Sequence, residues 1–474
     1  MKIPNRPIPG TQFNTLIQSF NIPDLAVAVT HNNNEIFSAG YGHCDAACTQ
    51  KITANTLFGV ASVTKLLSAI SMLQLQDRGL LSLNDCVSQY FPTLRLAADH
   101  NLKLHHLLSH SSGWPGLGSR FLAANQSTPG VISGGIEGAH PNLHSNGNRG
   151  NGSKLYNTDD LVEYLNHQAI SLLAKPGRLL NYGNEGFCLL GSVVEQITGS
   201  DWPDYIRQEV FKPLGMLQST IGQPDPNQFS SIARPLITTD GHRTEVGVWD
   251  TPLFYPVGGV VASVRDLLRL TTVLAADGPL LTNNSRMQLL TPVMSVASRP
   301  GENFGYSLGL EFRQLNSGAA MHWHTGQRAG ISALLAAVPA ENISLALLGN
   351  SSDAPLTALA HELIANVIDG CNSRWPPASG QNSTQTIKPE SCGEYGSDEG
   401  FLYRVLQCDG AFYLQRSPDS KRRLMHFQTA VSGYVGQQTF AFLTDDDVPA
   451  ADTRHSAPVP WALALDLRIL SKLS

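Results

Sequence analysis

The sequence predicts a mixed α/β body over residues 1–372 followed by a small all-β domain over 388–474. Three observations carry this. Strand-like and helix-like apolar spacings are interleaved along the first 370 residues. A Pro/Ser/Gln-rich stretch, Ser373–Thr386 (SRWPPASGQNSTQT), then interrupts them, so residues 373–387 read as a linker. Beyond it, aromatic-rich strand patterns flank Asp409-Gly410, a strong hairpin signal.

The elements follow in order. DLAVAVTHNNNEIFSAGYG alternates around an Asn-rich turn and predicts a hairpin. From Ser62 to Arg78 the spacing of Leu66, Leu67, Ile70 and Leu73 turns helical, and Gly79 is a C-terminal stop. LKLHHLLSHSSGWPG reads as a short helix running into a turn. Residues 123–153 are rich in Gly, Asn and Ser and predict a long loop bordering a site. EGFCLLGSVVEQITG is a second helix closed by Gly199, and PVGGVVASVRDLLRLTTVLAADG gives a turn and a third. SALLAAVPAENISLALLGN predicts paired core strands, and APLTALAHELIANVID a last helix.

Composition excludes several functions. Of 474 residues, 42% are hydrophobic, enough for a sizeable core. A net charge of -6 lacks the basic footprint of a nucleic-acid binder. No apolar run approaches the ~18 residues that span a bilayer. The first residues, MKIPNRPIPGTQFN, lack an apolar leader, so the expected location is cytoplasmic; the alternative is periplasmic or secreted with a signal removed. Seven cysteines, an odd number spread along the chain, do not look like a disulfide framework; the near neighbours Cys44 and Cys48 read as free thiols, a pair formed in an oxidising compartment being the alternative.

Lysines are scarce, ten in the chain, yet Lys65 stands three residues after Ser62 in an apolar helical run, the only S-x-x-K present. Residues at i and i+3 share a helix face. A desolvated amine favours its neutral form and takes the proton of a neighbouring hydroxyl, giving an activated nucleophile. The Ser62 backbone N–H at a helix start also suits a developing oxyanion. The bland alternative is an N-cap serine beside a snorkelling lysine. Tyr182-Gly183-Asn184 offers a hydroxyl to relay the proton and an amide to hold a substrate carbonyl. The other Y-x-N, Tyr164 and Asn166, lies within a helical run where the two side chains diverge. His324-Thr325-Gly326 precedes a core strand, where the Gln327 backbone N–H is placed as the second oxyanion donor.

S-x-x-K, Y-x-N and H-T-G in this order resemble the serine β-lactamase and penicillin-binding protein superfamily, in its class C β-lactamase-like branch of D-peptidases and esterases. LLSHSSGWPG and PVGGVVASVRDLLRL resemble further segments of that family. The likeness covers roughly residues 10–370. It implies an antiparallel sheet flanked by helices, an all-helical subdomain, a site between them and an acyl-enzyme on Ser62. Class C β-lactamases usually have K-T-G where this chain has His324-Thr325-Gly326, and a histidine there is more like D,D-carboxypeptidases, D-aminopeptidases and esterases. The C-terminal unit resembles the lipocalin-like barrels appended to some D-peptidases and to penicillin-binding-protein-type thioesterases that cyclise peptides.

The expected function is therefore a serine hydrolase or acyltransferase acting on D-amino-acid-containing peptides or esters, free or carried on a carrier protein. It needs no cofactor and no metal. The alternatives are a β-lactamase or general carboxylesterase and, in another class, a catalytically silent sensing protein. Rival motifs are weaker. GYSLG around Ser307 matches a nucleophile elbow but is followed by strands, not a helix. HELIA lacks the second histidine of a zinc helix, with Ala365 in its place, and His106 and His110 read as a polar helix end.

Overall fold

Asn32 and Asn33 adopt φ of 52° and 61°, the left-handed pair that a two-residue hairpin turn needs. They join strands β1 (Leu25–His31) and β2 (Asn34–Tyr41). The computed structural model describes residues 10–99, 101–116, 155–167, 170–239, 241–247, 251–296, 304–315, 317–352 and 354–368. It also describes 391–396, 402–408, 411–416, 422–427, 432–435, 438–443, 462–465 and 468–472. The expected loop 123–153, the linker 373–387 and the Asp409-Gly410 turn lie outside the described residues.

Six further strands complete the central sheet: β3 (Met294–Ser295), β4 (Phe304–Tyr306), β5 (Glu311–Gln314), β6 (Ala320–Arg328), β7 (Ile331–Val338) and β8 (Ile343–Gly349). All neighbours are antiparallel, in the order β2-β1-β8-β7-β6-β5-β4-β3. Strand alternation divides two cores. Val27, Leu334, Ala336, Leu345 and Leu347 face one apolar cluster. Ala26, Ala28, Ala333, Leu335 and Leu348 face the other. Being covered on both faces, β7 reads as the unbroken apolar run ISALLAAV.

Helix α1 (Gly10–Ser19) covers the first face through Phe13 and Ile17. On the second face lies α2 (Thr64–Asp77), preceded by a 3₁₀ turn at Ala61–Val63 and closed by Gly79 at φ 70°. Every residue of α2 from Thr64 to Leu75 is buried, so this helix is apolar all round because it is central. Beside it stands α3 (Glu185–Thr198), ended by Gly199 in the left-handed region. Helix α4 (Leu356–Val367) joins α1 on the outer face through Leu359 and Leu363.

Beyond the body, eight antiparallel strands run in sequence order and close into a barrel: β9 (Gly393–Gly396), β10 (Leu402–Cys408), β11 (Ala411–Arg416), β12 (Arg422–Phe427), β13 (Ser432–Val435), β14 (Gln438–Leu443), β15 (Ala462–Leu465) and β16 (Arg468–Lys472). Closure is the pairing of β9 with β16, Tyr395 opposite Lys472. Alternate residues Tyr403 and Val405, then Phe412 and Leu414, fill its interior. Among the described residues no helix is long and apolar enough to cross a membrane.

Candidate active site

Ser62 lies in the 3₁₀ turn before α2, rather than within the helix itself as the apolar spacing predicted. Ala61, the residue before it, has φ 44°, a left-handed conformation that costs an alanine roughly 1–2 kcal/mol. Lys65, one turn further, is fully buried, and its Nζ donates to Ser62 Oγ at 3.1 Å and to the Val257 carbonyl at 3.3 Å. The PVGG segment supplies that carbonyl. Its neighbour, the Pro256 carbonyl, accepts from Ser68 Oγ at 2.7 Å, so the segment is tied to α2 at two points.

Tyr182 precedes the start of α3. Its ring centroid stands 4.9 Å from Lys65 Nζ, and the Phe187 ring 5.5 Å from the same atom. The Tyr182 hydroxyl is buried and has no hydrogen bond of normal geometry among the described residues. Burial pushes its phenol well above the usual value, and the nearby Ser62 hydroxyl works against that shift. Asn184 caps α3, and its Oδ1 is likewise buried without a partner among the described residues. A Cβ on Gly183 would lie 2.5 Å from Glu185 Oε1, so a larger residue there would displace the Glu185 carboxyl, which folds back over it. Glu185 is buried, and burial holds its carboxyl above the ordinary range while its own and the Asn184 backbone N–H groups, Arg468 and Lys65 oppose this.

Strand β6 brings His324, Thr325 and Gly326 to the same place. A Cβ on Gly326 would sit 2.1 Å from the Val60 carbonyl oxygen, so the glycine is what lets the strand touch the Ser62 turn. Pairing of β6 with β5 stops at Trp323, leaving residues 325–328 beyond the end of that neighbour. Gln327, whose N–H was placed as an oxyanion donor, lies in this stretch with an exposed side chain. Thr325 is half-buried.

His324 requires a correction. The H-T-G motif placed it among the substrate-facing residues, but both its ring nitrogens are occupied within the protein. Nδ1 lies 2.6 Å from the Thr325 carbonyl, which only accepts, so Nδ1 carries the proton. Nε2 then accepts from the Tyr306 hydroxyl at 3.0 Å. Burial, then the Lys65 charge, lowers the His324 pKa to about 3. It is a neutral structural member of the site and presents neither charge nor donor to a ligand.

His110 is a second correction. It is no polar helix end: the helix stops at Leu108, and His110 is buried at φ 54° with its ring 4.1 Å from that of Tyr182. Its Nδ1 accepts from the Gly183 N–H at 3.2 Å. The loop holding it is pinned by bonds from the Asn181 N–H to the His110 carbonyl and from the Gly177 N–H to the Ser111 carbonyl. Burial, with Lys65, His324 and Arg468, keeps this imidazole neutral. Tyr306, Glu185, Val257 and Arg468 also belong to the site and escaped the sequence reading. Glu185, adjacent to Y-x-N, His110, inside LLSHSSGWPG, and Val257, inside PVGGVVASVRDLLRL, carried a signal there.

The rival motifs fall elsewhere. Ser307 is fully buried in the turn after β4, its Oγ donating to the Leu310 carbonyl at 3.2 Å. Asn166 binds the Thr93 carbonyl and the Arg95 N–H, and His361 packs against Trp323. Cys44 and Cys48 are free, the first buried and the second exposed.

Residues 13–368 match the protein family described as Beta-lactamase. The chain belongs to the beta-lactamase family. Protein flp of Staphylococcus aureus is 23% identical over 359 residues, 74% of this chain and 64% of flp, so this chain spans less than two thirds of that relative. SurE, a solved structure, superposes with a TM-score of 0.68 at 22% identity, covering 98% of both chains, the barrel included. The D-amino acid amidase of Ochrobactrum anthropi SV3, complexed with L-phenylalanine amide, gives 0.58 at 22% identity over 75% of this chain and 97% of its own. At these identities both structures speak to fold alone.

Proposed function

We propose that this chain is a serine acyl-transfer enzyme for D-amino-acid-containing peptides, amides or esters, working through an acyl-enzyme on Ser62. The observation that carries the reading is the 3.1 Å contact between Lys65 Nζ and Ser62 Oγ in a buried setting beneath Tyr182. Ser62 Oγ attacks the substrate carbonyl as its proton passes to Lys65 Nζ. Backbone N–H groups of Ser62 and Gln327 receive the oxyanion, and Asn184 orients the substrate. Tyr182, with Lys65 behind it, returns the proton to the departing amine or alcohol. Water or a second amine then takes the acyl group from Ser62, which separates hydrolysis from transfer or cyclisation.

The substrate class rests on His324 standing where a lysine would supply a cation: it is neutral, so the H-T-G strand itself holds no carboxylate. The family's D-amino acid amidase and the SurE structure solved with D-Leu favour the same class. The eight-stranded sequential barrel accords with a lipocalin-like appendage. Two measurements test the proposal. A fluorophosphonate should modify Ser62 and spare the Ser62→Ala chain. In addition, kcat/KM on D-alanyl amides and esters should exceed that on a cephalosporin; labelling at another serine or a dominant lactam activity would overturn it.

A further inference from the structure

Among the described residues, Arg468 brings the C-terminal barrel to the site. Arg468 opens β16, directly across the β15–β16 hairpin from Leu465. Its guanidinium carbon lies 5.4 Å from the Tyr182 ring centroid, within the ~6 Å of a cation–aromatic contact. The side chain is partly buried, although it comes from a different folding unit. Three groups of the site respond to its charge: Tyr182, Glu185 and His110. Burial pulls the guanidinium down from its usual value, while Tyr182 and Glu185 push it back up.

The charge inventory explains what such a residue is for. Lys65 is committed to Ser62 and Val257. His324 and His110 are neutral. Among the described residues, Arg468 is thus a cation of the site outside the nucleophile pair, with the Glu185 carboxyl near it. It stands on Tyr182, the group placed to protonate the leaving atom, so it neighbours whatever is attached to that atom. A guanidinium presents a planar fork that matches a carboxylate through two hydrogen bonds.

Building on the acyl-transfer reading above, we propose that Arg468 receives a free carboxylate on the leaving-group side of the substrate. The preferred substrate is then a peptide whose departing residue carries its own α-carboxylate, and the same subsite accepts an amino acid as the attacking amine in the reverse sense. The barrel is a specificity element that completes the site.

Binding and turnover separate this proposal from the reading beneath it. In the full-length Ser62→Ala chain, N-acetyl-D-alanyl-D-alanine should bind at least tenfold more tightly than its C-terminal amide. Arg468→Gln should erase that preference and Arg468→Lys restore part of it. Arg404→Gln, which removes a barrel cation paired with Glu394, should leave it intact. In the Ser62-containing chain, Arg468→Gln should lower kcat/KM on the acid by about 100-fold, whereas Arg404→Gln should leave it within threefold. Equal binding of acid and amide by the parent chain, or a preference that survives Arg468→Gln, overturns the proposal. A preference for the acid without any turnover would instead overturn the acyl-transfer reading and leave the Arg468 subsite standing.

Discussion

The placement of single side chains decides which residues act together. Lys65 touches Ser62 Oγ on one side and lies under the Tyr182 ring on the other. Groups that move one proton fail as a unit. Lys65→Ala and Tyr182→Phe should each lower kcat/KM by about 10³-fold or more, with the double variant little worse than either; losses that multiply would argue for separate roles. Ser307 gives the opposite expectation. Its hydroxyl is spent on the Leu310 carbonyl in a buried turn, so Ser307→Ala should cost about 1 kcal/mol in urea unfolding and leave labelling unchanged. Ser62, Lys65 and Tyr182 were legible because short spacings and residue chemistry specify them. His110, Tyr306 and Arg468 were not, because their roles depend on which loops and strands meet, and nothing local in HSSG, FGYS or LRIL encodes the neighbour across the cleft.

At the level of elements, the site is a junction held by close backbone approach. The Ser62 turn, strand β6 and the PVGG segment converge, with Val60 against Gly326 and Val257 against Lys65. Gly326→Ala tests whether that approach matters. The added Cβ would meet the Val60 carbonyl at 2.1 Å, a backbone atom that cannot swing aside. The strand must retreat from the nucleophile, so labelling should slow at least tenfold with a stability loss of about 1–3 kcal/mol; unaltered labelling would show that β6 does not set the site's geometry. Most elements were readable from their periods: the Asn32-Asn33 hairpin, α2, α3, β7 and β8 fall where the spacing put them. Helix α1 was missed. Its Phe13, Leu16 and Ile17 spacing is short and follows a proline-rich start, so it competes poorly with a coil reading. The 3₁₀ turn at Ser62 was also missed, because a left-handed alanine is set by tertiary contact and not by propensity.

Across the whole molecule, the buried histidines set an acid limit. His110 and His324 are held far below the ordinary histidine value of 6.5, His106 and His322 are lowered to about 4, and His105 is lowered too, in each case by burial first. The unfolded chain therefore binds these protons before the folded one. Their neutral burial costs nothing above pH 6.5, and stability is lost as pH falls below that value toward the folded-state values. Glu185, Glu195 and Asp266 act in the other sense, since burial raises their pKa and their folded forms take up protons first. Among the described residues, these five histidines outnumber the three raised carboxyls, and the lowered Glu35 and Asp45 add to them, so the balance is a net loss. Each fully shifted group contributes about 1.4 kcal/mol per pH unit, so stability should fall by roughly 1–3 kcal/mol per unit between pH 6 and 4.5. His322 isolates the effect. It is buried beside Phe312 at a ring distance of 5.5 Å, and it makes no contact with Ser62 or Lys65 among the described residues. His322→Phe removes one titrating group without altering the site, so urea midpoints should show a shallower acid slope while fluorophosphonate labelling at pH 7 is unchanged. A slope identical to that of the parent chain would mean that His322 keeps its proton on folding, and that acid sensitivity arises elsewhere.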